Sequence, residues 1–183
     1  MQRMLTVRWR QPNHQGAAVS RLPSQMSQED ALLCAHRARP TTKEGLVASR
    51  LNPYISFTDN ARQAMEFYRS VFGGTLRLNT FGEFGAPDSP DAAKIMHGML
   101  ETDSGFTLMG ADTPQGMEHV PGTNITVSLS GEDADELRGY WQKLSADGTV
   151  SMPLEKQMWG DEFGMCADRF GIPWMVNIVA PSS

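Results

Sequence analysis

In the run HGMLE, His97, Met99 and Glu101 recur with period two, so a strand there sets an imidazole, a thioether and a carboxylate on one face. An imidazole and a carboxylate sharing a face can serve as acid and base, or hold one polar group of a ligand. Four residues of strand separate them by roughly 13 Å, too far for direct contact. His97 and Glu101 are therefore the candidate catalytic pair, and the alternative is a polar rim or a histidine bonded to a neighbour. His119 falls in a Pro/Gly-rich run and is expected to be solvated, and His14 and His36 lie near the N-terminus. Cys34 and Cys166 stand far apart with no CxxC or Cys/His spacing, so both read as reduced thiols rather than as a disulfide or a zinc site.

A second concentration of chemistry lies in QMWGDEFGMCADRFGIPWMV, from Gln157 to Val176. Trp159-Gly160 suits the mouth of a cup, where glycine lets the chain turn and tryptophan offers a broad rigid surface. Asp168 and Gly171 have the chemistry of a turn: the carboxylate reaches its own backbone two residues on, and glycine supplies a positive φ. Trp174 and Met175 must point to opposite faces of a strand, so one of them looks into any cavity.

These side chains need elements to hold them, and those begin at Leu51. LNPYISF reads as a strand, and NARQAMEFYRSVFGG as a helix with Ala61, Ala64, Met65, Tyr68, Val71 and Phe72 on one stripe. Asn60 and Gln63 have capping-box spacing, and Gly73-Gly74 stops the helix. Strands follow at 76–82, 94–102 and 105–111. The order then repeats: a strand at 123–130, a helix over DADELRGYWQKLSADG with Ala134, Leu137, Trp141 and Leu144 on its stripe and Asp133/Glu136 as its cap, then strands near 149–154, 162–167 and 173–179. Ala61 corresponds to Ala134, and Phe67-Tyr68 to Tyr140-Trp141, both at an offset of 73 residues. The fold class is α+β, two βαβββ modules whose curled mixed sheets enclose a ligand cavity. Module one is residues 51–111 and module two residues 123–180, within a domain over 49–183.

Residues 1–48 read differently. The first 50 residues hold eight Lys/Arg against three Asp/Glu, and the remainder eight against eighteen, so the net charge of −5 divides into +5 and −10. The basic leader is rich in Gln, Ser, Pro and Ala without apolar periodicity, which predicts a disordered or weakly folded extension. The acidic body offers no basic surface for nucleic acid. No run approaches the length of a membrane span, and no signal-peptide core is present, so a cytoplasmic address is expected.

Taken together, LNPYISF, AMEFYRSVFGG, KIMHGMLE, FTLMGAD, NITVSLS and MPLEKQMWGDEFGMCADRFGIPWMVN resemble the PhnB-like branch of the vicinal oxygen chelate superfamily. That superfamily includes glyoxalases, bleomycin resistance proteins and extradiol dioxygenases, and the branch also carries the label of a 3-demethylubiquinone-9 3-methyltransferase. The resemblance covers about residues 51–180. It implies a divalent ion held by His, Glu or Gln from the first and last strands of each module, yet residues 51–57, 105–110, 123–130 and 172–179 contain none of these. Ungapped matching puts Pro53, Met109 and Met175 at or near three ligand positions, with Ile125 or Thr126 near the fourth.

This departure from the superfamily's ligand pattern leads to the expectation of a metal-free cavity for a small, largely apolar molecule. Its candidate lining is Tyr54, Met109, Asn124, Ser128, Trp159, Phe163, Trp174 and Met175, and the alternative is that these side chains simply fill a core. No cofactor is expected, with a divalent metal as the alternative. A homodimer is implied, with closure of the two modules within one chain as the other possibility. The competing function is an enzyme, either metal-dependent or using His97 and Glu101. The methyltransferase label is not supported by any strand, Gly-rich turn and helix that would cradle a nucleotide-like cofactor.

Overall fold

The computed structural model describes residues 49–181, and the N-terminal leader lies outside them. The first module runs β1 (Tyr54–Phe57), α1 (Ala61–Phe72), β2 (Thr75–Thr80), β3 (Ile95–Glu101) and β4 (Thr107–Asp112). The second runs β5 (Val127–Gly131), α2 (Ala134–Ser145), β6 (Thr149–Lys156), β7 (Glu162–Ala167) and β8 (Pro173–Ile178). Each builds a four-stranded mixed sheet, ordered β1-β4-β3-β2 and β5-β8-β7-β6, with the outer pair parallel and the rest antiparallel. Two βαβββ units are present, and the sheets do not close on each other.

Alternating burial along the strands separates two faces of each sheet. In β4 and β8 every second residue is buried, Leu108, Gly110 and Asp112 in one and Trp174, Val176 and Ile178 in the other. Those residues meet the helices. Ala61, Ala64, Met65, Tyr68, Val71 and Phe72 form the buried stripe of α1, as its spacing predicts. Close approach of α1 depends on the paired Gly98 and Gly110. A Cβ on Gly110 would meet Phe57 Cε2 at 2.8 Å and Met65 Sδ at 3.4 Å.

Both helices share one core. Phe72 packs edge-on against Tyr140 at 5.0 Å and tilted against Trp174 at 5.6 Å, while Phe170 sits among Phe57, Phe67 and Tyr68. Asp168, 4% exposed, ties the modules together. Its carboxylate accepts Tyr68 Oη and Trp174 Nε1, each at 2.8 Å, and the backbone N–H groups of Phe170 and Ile172. A buried carboxylate is tolerated here because four donors replace its water. Burial and the neighbouring carboxylate together hold the Tyr68 phenol well above its usual range. Lys143 Nζ reaches the carbonyls of Ser70 and Val71, a cation at the negative end of α1.

Four expectations need correction. Asn60 makes no side-chain cap; the first N–H of α1, on Ala61, donates to Asp112 Oδ1 at 2.8 Å, and Asp112 Oδ2 takes the Ile95 N–H. A carboxylate from the end of β4 thus displaces the local capping box, whereas Asp133 caps α2 through Glu136 N. In α2, Tyr140 joins the stripe as a buried member beside Leu137 and Leu144, because that face looks across to Phe72, while Ala134 and Trp141 pack partly buried against the core. The strand expected from residue 123 begins at Val127, since its parallel partner β8 starts at Pro173, which has no N–H to offer opposite Thr126, and leaves nothing opposite 123–125. His119 is half-buried, with Nδ1 3.3 Å from Thr113 Oγ1, rather than solvated.

Among the described residues no helix is long and apolar enough to cross a membrane. Cys166 is buried with a free thiol, pushed up to about 11 by burial and then by the Asp168 charge; Cys34 lies outside the described residues.

Candidate functional site

The faces turned away from the helices carry the functional candidates. On the first sheet one row crosses all four strands as Tyr54, Met109, Met99 and Arg77, each opposite the next. On the second sheet the matching row is Ser128, Met175, Met165 and Met152. Central strands of both sheets therefore set two methionines directly across from each other, half-buried and facing outward. The pattern is visible in sequence once sought: HGM at 97–99 and FGM at 163–165, and Met109 and Met175, all repeat at an offset of 66. Helix matching at 73 conceals it, because the loops between helix and strands differ in length. Sequence reasoning placed Met99 on one face with His97 and Glu101 and singled out Met109 and Met175, but did not pair Met99 with Met109 and missed Met165 and Met152.

His97 and Glu101 do share the outward face of β3, but each has another partner. Glu101 Oε2 accepts from Arg77 at 2.9 Å, an exposed ion pair. His97 stacks on Tyr54 with ring centroids 5.8 Å apart and planes at 25°, its Nδ1 3.3 Å from the phenolic oxygen. Burial holds the Tyr54 phenol above its usual range. The structure therefore assembles a Tyr54–His97 pair leaning over β4 and does not bring His97 and Glu101 together. Met99 stands between them.

Of the residues proposed to line a cavity, Tyr54, Met109, Phe163 and Met175 lie on the outward faces, with Ser128 at the outward end of its row. Trp159 is 59% exposed in the turn between β6 and β7, where Gly160 adopts φ 106°, and its ring meets the edge of Phe163 at 6.2 Å. Asn124 is exposed in the linker ahead of β5. Trp174 belongs elsewhere: at 1% exposure, bonded to Asp168, it is part of the helix–sheet core, and Met175 is the member of that pair that looks outward. A groove of about 1470 Å³ runs between β1, the linker and β5, with Tyr54, Phe57, Ile125, Ser128 and Phe170 among its walls. The methionine rows lie beyond its lining.

A hard divalent ion needs several oxygen or imidazole donors converging on it. At the centre of the two faces stand the methionine pairs, flanked by Tyr54 and His97 on one and by Ser128 and Phe163 on the other, a set of thioethers and hydroxyls with a single imidazole that does not fit such an ion. No group of three His, Cys, Asp or Glu side chains gathers among the described residues.

Comparison with known proteins agrees with this architecture. The family described as Glyoxalase/Bleomycin resistance protein/Dioxygenase superfamily matches residues 50–176. Protein YjdN of Escherichia coli is 30% identical over 142 residues, covering 70% of this chain and 95% of its own. The crystal structure of PA1353 from Pseudomonas aeruginosa superposes with a TM-score of 0.66 at 34% identity, over 73% of this chain and 99% of its own. A Bacillus cereus PhnB protein, labelled a 3-demethylubiquinone-9 3-methyltransferase, shares the fold at a TM-score of 0.58 and 20% identity, over 72% of this chain and all of its own. With paired βαβββ units and a family match across nearly all of the described residues, the chain belongs to the glyoxalase/bleomycin resistance protein/dioxygenase, or vicinal oxygen chelate, superfamily and shares its fold with the PhnB protein.

Proposed function

We propose that residues 49–183 form a small-molecule-binding domain that holds a small, largely apolar molecule against its outward sheet faces without a divalent metal. One observation carries the reading: at the centre of each face stands a methionine pair, Met99–Met109 and Met165–Met175, of which Met109 and Met175 fall at or near positions where the resemblance implies metal ligands. Thioether side chains are apolar, polarisable and conformationally adaptable, and they favour contact with aromatic groups. Phe163, Trp159 and Tyr54 supply rigid surfaces beside them. The functional unit in this reading is a cytoplasmic homodimer, in which the outward face of one copy is covered by another. The outer edges of β1 and β5, each bonded to a neighbour on one side only, support it.

The test is titration of the full chain with 8-anilinonaphthalene-1-sulfonate, followed by fluorescence, with sedimentation of the same sample. Expected is saturable binding that a chelator leaves unchanged and that Met109→Lys or Met175→Lys abolishes with the far-ultraviolet spectrum intact. No saturable binding, or binding that the chelator reverses, overturns the reading. Binding by a monomer removes the homodimer alone.

A further inference from the structure

The two outward faces differ at one position in a way that changes their chemistry toward soft cations. Met99 and Met109 are direct cross-strand partners, which brings their Cβ atoms to about 5 Å. His97 lies on the same face, two residues before Met99, and its ring leans across β4 to stack on Tyr54. Tyr54 is itself the cross-strand partner of Met109. The imidazole thereby leans over β4, the strand that carries Met109, on the same face as both methionines. On the second sheet Met165 and Met175 repeat the sulfur pair, but Phe163 stands where His97 does.

We propose that His97, Met99 and Met109 form a site for a soft monovalent cation, copper(I) in biological terms, held by one imidazole nitrogen and two thioethers. Thioethers and imidazole select such ions and reject hard divalent ones, so the inference goes beyond the small-molecule reading and does not depend on it. Tyr54 completes the arrangement. With Nδ1–H of His97 donating to the Tyr54 oxygen, Nε2 keeps its lone pair for the ion and the ring is held in place. Arg77, opposite Met99, is engaged by Glu101, which offsets the positive charge nearest the site. Met99 and Met109 are each half-buried in the single chain, which leaves an ion a way in wherever a second copy does not cover this face.

The second sheet, which has the sulfur pair without the imidazole, becomes a control once Met152, a third thioether opposite Met165, is replaced by leucine. The experiment uses the full chain with Met152→Leu and with Cys34→Ser, which removes a competing thiol; Cys166 is buried and its thiol stays protonated. Copper(I) is titrated in competition with bicinchoninate under anaerobic conditions. Expected is one ion per chain, with Met99→Leu/Met109→Leu and His97→Phe each weakening binding by about a hundredfold or more, Tyr54→Phe by roughly tenfold through loss of the orienting bond, and Met165→Leu/Met175→Leu leaving it unchanged. Methyl NMR of methionine-labelled protein with silver(I) needs no variant: the Met99 and Met109 signals should shift and those of Met165 and Met175 stay. Absence of copper(I) binding that competes with bicinchoninate, equal binding by His97→Phe, or silver-induced shifts on the second sheet instead, would overturn the assignment.

Discussion

The two modules place the same backbone units around one core and then dress them differently. Both sheets have paired methionines at the centre of the outward face, but the first adds Tyr54, His97 and Arg77 where the second has Ser128, Phe163 and Met152. Both helices start on a carboxylate, yet Asp133 is local to its helix while Asp112 reaches back from the end of β4. Position on the scaffold is therefore repeated, and chemistry is not. A feature shared by both modules answers to the scaffold or to a common ligand, and a feature of one module alone points to something that module does by itself.

The largest expected effect breaks the comparison between the faces of a single strand. Trp174 and Met175 are adjacent on β8, one fully buried against Tyr68 and Phe72, the other half-buried and facing out. Trp174→Ala should cost about 3–5 kcal/mol in urea unfolding, through the cavity it leaves and the donor it removes from Asp168. Met175→Leu should cost less than about 1 kcal/mol. Equal losses would mean that the outward face is packed as core.

A smaller effect separates the two helix starts. Asp112→Ala strands two N–H groups, those of Ala61 and Ile95, in a place where Asp112 is 5% exposed, and should cost about 2–3 kcal/mol. Asp133→Ala opens a cap at the surface, where water can take over, and should cost about 1 kcal/mol. Urea midpoints of the two variants, measured side by side, decide it; a reversed order would put the tertiary cap of α1 in doubt.

These differences also mark what the sequence could and could not disclose. Ala61, Ala64, Met65 and Tyr68 announce their helix because one apolar face packs on one sheet, and periodicity records that alone. Tyr140 was missed beside Trp141 because α2 also meets the other module, and no local pattern encodes a second neighbour. Asp112 was invisible as a cap for the same reason: its partners lie 51 and 17 residues away. Asp168 and Gly171 were legible as a turn, with Phe170 N donating to Asp168 Oδ1 at 2.8 Å and Gly171 at φ 80°, yet the side-chain donors to Asp168, Tyr68 from the other module and Trp174 from the next strand, were not. At the candidate site, period two placed His97 and Glu101 on one face correctly. It could not show that each is claimed from a neighbouring strand, by Tyr54 and by Arg77.

The smallest effect concerns the linker after β4, which has no counterpart after β8. Asp91 accepts the Gln115 backbone N–H at 2.6 Å and pairs with Lys94 at 2.9 Å, and these contacts, the backbone bond first, hold its carboxyl below the usual range. Its pKa is lower folded than unfolded, so the contribution is fully present above the unfolded value and fades as pH falls through the folded one. Lys94 is held above its own range by Asp59 and Asp91, so it stays charged throughout that acid window. Acidification should therefore loosen this anchor before the core yields. Hydrogen exchange at the Gln115 amide, corrected for its intrinsic pH dependence, should lose protection below about pH 4, where an ordinary aspartate starts to protonate. Asp91→Asn should give weakened protection at every pH. Protection that stays level down to the acid unfolding of the core would show that the linker is held by the Thr113–His119 contact and its neighbours, and that the modules differ less than their loops suggest.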